Sequence, residues 1–108
     1  MRLLCSLVLL AACGDDRTPS CEQSQLTYQT FGAPFMTSWC NGCHSAGLPA
    51  NMRQLAPIDI NFDTLGEIRA QAFTIVNTTT DLRTMPPEGG PSDAERQLLS
   101  QWMSCGAP

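Results

Sequence analysis

Proline and glycine leave this chain of 108 residues only three stretches in which regular structure can form. Asp81 to Pro91 reads DLRTMPPEGGP, with three prolines and two glycines in eleven residues, too many for a helix or a strand. Ser45 to Asp63 holds Pro49 and Pro57 and is read as irregular. The first regular stretch begins near Pro34, a residue favoured in the first turn of a helix, and runs through FMTSWCNGC. Phe31, Phe35 and Trp39 recur at helical spacing there, although Gly32 and Pro34 interrupt the pattern. The second starts at Thr64, where Thr64-Leu65-Gly66-Glu67 fits a capping box, and Leu65, Ile68, Ala72, Ile75 and Val76 form one apolar stripe. It fades at Asn77 into three threonines. The third has Ser92 as N-cap, Glu95 three residues on, Pro91 before it and Gly106 beyond its end. Its expected buried face is Leu98, Leu99, Trp102 and Met103.

No strand pattern appears, so the fold class is all-α: one domain of three main helices with long loops. Three short helices bury little apolar surface alone, so something further is expected to fill the middle.

The chain opens MRLLCSLVLLAACGDD, an arginine, an apolar run and small residues, which reads as a secretory signal peptide over residues 1–12. Leu10-Ala11-Ala12-Cys13 resembles a bacterial lipoprotein signal, which makes Cys13 the lipid-bearing first residue, residues 13–20 a polar tether and residues 21–108 the domain. Asp15, two places after Cys13, is not where an inner-membrane retention signal is read, so the outer membrane is favoured. After the signal, ten acidic residues face five arginines and no lysine. That balance argues against nucleic acid or an anionic membrane surface as partner. Cys21 and Cys105 are left near the two ends of the domain, and in an oxidising compartment such a pair is expected to join. The closed loop would stabilise by roughly 4 kcal/mol in the chain-entropy model.

The chemistry concentrates in Trp39-Cys40-Asn41-Gly42-Cys43-His44, which holds the only histidine. A structural zinc needs four ligands, and Cys21 and Cys105 show no pair spacing to complete the set. A redox dithiol of thioredoxin type needs the motif to open a helix after a strand, whereas here it closes a helix. Cys-x-x-Cys-His is the attachment signal of covalent haem: two thioethers about one helical turn apart and a histidine turned to the iron. Haem would also fill the thin core. For the sixth ligand, Met36 and Met52 lie too near His44 in the chain, Met103 belongs to a packed stripe, and Met1 leaves with the signal. Met85, 41 residues beyond His44 in a stiff Thr-Met-Pro-Pro loop, is the expected axial partner.

From Tyr28 to Gly106 the chain resembles the small class I c-type cytochromes: a helix ending in CxxCH, a later methionine in a proline-rich loop, and a C-terminal helix with an aromatic. The resemblance implies the cytochrome c fold around one covalent haem c, held by Cys40 and Cys43, with His44 and Met85 as axial ligands. It implies Trp102 packing the last helix across the first near Phe35 and Trp39. A backbone carbonyl, that of Pro57, would receive the other ring hydrogen of His44, and Arg53 or Arg69 would pair with a propionate. The chain departs from mitochondrial-type relatives in lacking lysine, which puts docking through a lysine ring in doubt. The expected function is one-electron transfer with redox partner proteins, on the periplasmic side of the bacterial envelope and anchored by lipid, rather than enzymatic turnover. Without Met85 ligation it would be a five-coordinate haem sensor or weak peroxidase. Without haem it would be a disulfide-stapled lipoprotein.

Overall fold

The computed structural model describes residues 19–108. The signal peptide, the lipid-bearing Cys13 and the tether up to residue 18 lie outside the described residues. Among the described residues the regular structure is helical, with no strand. Four α-helices follow in chain order: α1 (Ala33–Trp39), α2 (Leu65–Ala70), α3 (Ala72–Val76) and α4 (Asp93–Ser104).

The first helical segment begins earlier than Pro34. Thr27 and Thr30 form a reciprocal capping box, and the backbone winds through a wide π-turn at Tyr28–Gly32 that feeds into α1. Proline is tolerated at Pro34 because the first N–H groups of a helix have no intrahelical acceptor. Gly32 is required by packing. A Cβ on it would lie 2.4 Å from both Cη2 and Cζ2 of Trp102, so the absent side chain is where α4 crosses the first segment. Trp102 meets Phe31 edge-on at 6.0 Å, and Phe35 and Trp39 pack into the same cluster.

The second segment has the expected Thr64–Glu67 capping box, but it is not one helix. Gln71, at φ −110° and ψ 13°, separates α2 from α3. The threonines that seemed to end the segment continue it as a second wide turn, Asn77–Asp81. There the Thr78 hydroxyl donates back to the Thr74 carbonyl at 2.8 Å, a local bond that short polar side chains offer in place of the regular ladder. α4 has the Ser92–Glu95 capping box and packs on α3. Leu98 departs from the expected buried face: it is 39% exposed, while Leu99, Trp102 and Met103 are buried. The core is completed by Phe35, Met36, Phe62, Ile68, Ile75 and Ala107.

Cys21 and Cys105 form a disulfide with their Cα atoms 5.4 Å apart. Beside it the Tyr28 N–H donates to the Pro108 carbonyl at 2.6 Å, and the Trp102 indole donates to the same oxygen at 3.1 Å.

Candidate functional site

Cys40, Cys43 and His44 follow directly on α1. The helix does not stop cleanly. The N–H groups of Cys40 and Asn41 both reach the Met36 carbonyl, and those of Cys43 and His44 both reach the carbonyl of Cys40. One tight turn therefore carries all three side chains, and each lines a cavity of about 400 Å³. Neither cysteine is in a disulfide. Burial pushes the Cys40 thiol up to about 12, so it stays protonated at neutral pH.

A second chain segment clasps this turn. Phe62 donates its N–H to the His44 carbonyl at 2.9 Å and sets its ring 5.0 Å from the imidazole. Asp63 accepts from the Ser45 hydroxyl at 2.6 Å and the Ala46 N–H at 2.8 Å, and these bonds, the Ser45 hydroxyl first, hold its carboxyl below the usual range. The His44 Nδ1 lies 2.9 Å from the Ile60 carbonyl, and since a carbonyl only accepts, Nδ1 carries the proton. Nε2 is then the nitrogen left for a ligand. The acceptor is Ile60 rather than Pro57, whose carbonyl instead accepts from Arg53 at 2.6 Å.

The cavity's other contributions come from α3 and the loop after it. Gln71, Thr74, Ile75, Thr78 and Thr79 line it, and Met85, Pro86 and Pro87 reach the same space. The structure thus brings Met85 to the cavity that holds His44, and leaves Met36 and Met103 in the core and Met52 exposed. The Met85 loop is tied at both backbone groups. Its N–H reaches the Thr78 carbonyl at 3.2 Å, and its carbonyl accepts from Arg96 at 3.3 Å. Arg96 is buried and also donates to the carbonyls of Thr79 and Pro91. Gly90, at φ 154°, closes the loop over Pro86, whose Cδ would lie 2.8 Å from an added Cβ.

The rim is apolar. Leu55 is 99% exposed and lines the cavity, and both it and Gln54 hold left-handed backbone, with φ of 69° and 52°. Such conformations cost non-glycine residues about 1–2 kcal/mol each and gather at functional sites.

Neither candidate arginine turns a free guanidinium to the cavity. Arg69 donates to the Ala107 carbonyl at 3.0 Å and does not line the cavity. Arg53 does line it, but all its N–H groups are directed at loop oxygens. Sequence reading missed the structural work of Arg53 and Arg96. Apart from Asn61 Oδ1, their partners are backbone carbonyls, which leave no pattern in side-chain identity.

Among the described residues no three His, Cys, Asp or Glu side chains come together as a metal-holding group. With Cys21 and Cys105 joined, Cys40 and Cys43 are the only thiols among the described residues that a zinc site could draw on. No helix among the described residues is long and apolar enough to cross a membrane. No family model, no curated protein and no solved structure matches the chain.

Proposed function

We propose that this chain is a small class I c-type cytochrome, carrying one covalent haem c and passing single electrons between redox partners in the bacterial cell envelope, where Cys13 anchors it by lipid. The observation that carries the reading is the meeting of two distant segments at one cavity. Cys40, Cys43 and His44 arrive on a single turn, and Met85 arrives on a proline-stiffened loop.

The residues fit the group. Cys40 and Cys43 are unpaired thiols beside the cavity, His44 has its ring fixed through Nδ1 with Nε2 left over, and Met85 supplies a thioether. About 400 Å³ lies within the usual range of ligand pockets, and Trp39, Ile60, Phe62 and Ile75 give it apolar walls. Haem bound there would supply a one-electron iron couple whose potential a thioether ligand raises. The chain's part is to hold both ligands on clamped backbone and to exclude water. A dithiol reading is disfavoured because Cys40 ends a helix, where the dipole opposes a thiolate, and its thiol is pushed up to about 12.

The test is to mature the full chain with haem-attachment machinery and record mass and visible spectra. Covalent haem, with a ferric methionine–iron charge-transfer band that vanishes in Met85→Ala, supports the reading. A high-spin wild-type spectrum would move it to the five-coordinate sensor or peroxidase class. Absence of covalent haem would leave a disulfide-stapled lipoprotein.

A further inference from the structure

Arg53 places a full positive charge in the interior, 1% exposed, and among the described residues every acceptor it meets is neutral. Its Nη1 donates to the Ser45 carbonyl and, at 2.7 Å, to Asn61 Oδ1. Its Nη2 donates at 2.6 Å to the Pro57 carbonyl and at 3.0 Å to that of Ile60, while Nε makes a long contact of 3.5 Å to the Ala56 carbonyl. The one carboxylate that acts on it, Asp63, does so through space and accepts no hydrogen bond from it, so the buried charge is held mainly by neutral carbonyls, which is costly. The Ile60 carbonyl supplies a reason beyond loop closure, because it also receives the Nδ1–H of His44 at 2.9 Å.

We propose that Arg53 is a positioning residue for His44, acting through the carbonyl that both share, and that its charge biases a group held at His44 toward the reduced state. The proposal rests on the haem reading above. One lone pair of the Ile60 oxygen is given to the guanidinium and the other to the imidazole. The charged donor polarises the carbonyl and weakens it as an acceptor for His44, so the ring gains less imidazolate character. A less basic imidazole stabilises the oxidised, more positive state less, and the buried cation repels that state directly. Both effects have one sign: they raise the potential.

The experiment uses the full chain matured with haem-attachment machinery, as wild type, Arg53→Lys, Arg53→Met, Asn61→Asp and, as a control on the arginine that binds Ala107, Arg69→Gln. Asn61→Asp is the variant that spares the arginine. It leaves Arg53 in place and sets a carboxylate against its charge, at a side chain the fold leaves partly exposed. Redox titration should shift the oxidised-to-reduced ratio about tenfold toward oxidised in Arg53→Met and in Asn61→Asp, a midpoint about 59 mV lower for one electron. Arg53→Lys should keep part of the midpoint, with a moved His44 Nδ1–H resonance in the reduced protein, and Arg69→Gln should match wild type. Because a carboxylate at position 61 also acts on the oxidised state directly, Asn61→Asp is repeated on the Arg53→Met background; a merely structural arginine gives the same shift in both backgrounds and leaves the His44 Nδ1–H resonance unmoved. Should Arg53→Met fail to mature, Arg53→Lys serves as the second background, with the His44 Nδ1–H resonance as its readout. Wild type without covalent haem overturns the haem reading and this proposal with it. Haem-bearing wild type and an Asn61→Asp protein within twofold of it overturns the role of Arg53 only.

Discussion

Replacing Gly32 by alanine is the smallest change that tests how the helices cross. Gly32 has φ −61° and ψ −53°, an ordinary helical geometry, so alanine there should gain about 0.5–1 kcal/mol from the unfolded chain. Packing opposes this. The new Cβ would stand 2.4 Å from two carbons of Trp102, where carbon contacts settle near ~3.5 Å or beyond, so the elements must part by about 1 Å. Trp102 has nowhere to go: it is fully buried, its indole N–H is held by Pro108, and its edge rests on Phe31. Overpacking of this kind costs about 1–3 kcal/mol, and a fixed indole puts it at the upper end. The net expectation is a loss of about 2 kcal/mol, which for a domain of this size lowers Tm by about 8–16 °C. Urea and thermal unfolding with the disulfide intact would measure it. Gly66→Ala is the control, since in α2 nothing but Thr64 Oγ1 comes within 4.0 Å of its added Cβ. Gly32→Ala as stable as Gly66→Ala would refute a close crossing of α4 over Gly32.

Three further outcomes follow from the same structure. Cys21→Ser with Cys105→Ser opens a loop with a sequence separation of 84 and should cost about 4–5 kcal/mol in the chain-entropy model, read as a lower urea midpoint that reductant reproduces in wild type. Asp63 has its carboxyl held low, so its contribution to stability is present above the ordinary carboxylate range and lost as pH falls through the folded value; wild type should weaken in that acid range while Asp63→Asn, weaker at neutral pH, stays flatter there. Ser92→Ala removes the cap whose hydroxyl accepts from the Glu95 N–H at 3.2 Å and should cost about 1 kcal/mol in thermal unfolding, with α4 fraying first in hydrogen exchange.

What could be read from the sequence were features written in side-chain identity at fixed spacing. Thr64 with Glu67 and Ser92 with Glu95 mark helix starts by local chemistry, and both caps are present. The Cys21–Cys105 pairing followed from counting thiols, and it is formed. The start of the first segment escaped because its box uses Thr30 in place of Glu or Gln, and because Gly32 reads as a breaker until Trp102 is seen above it. Leu98 lies one step round the helix from Leu99, on the edge of the stripe, and a spacing pattern does not say where the edge meets solvent. The acceptor of the His44 ring is Ile60 and not the expected Pro57, because the register of an irregular loop depends on tertiary contacts, here the web around Arg53. The convergence of Met85 with the CxxCH turn was legible from chain length and loop stiffness. The clamp of Arg96 on the Met85 carbonyl was not, since carbonyls are common to every residue.

The Cys21–Cys105 bridge, with the Tyr28 N–H on Pro108 beside it, also sets a path for mechanical load. A pull on the chain ahead of Cys21 is shared at once with Cys105 and spread over the end of α4 and the start of the first helical segment. Neither the clasp from Ile60 to Asp63 nor the Met85 loop lies between those attachment points along the chain's covalent shortcut. A pull from the N-terminal side therefore enters the domain at the disulfide and not through the segments that carry His44 and Met85.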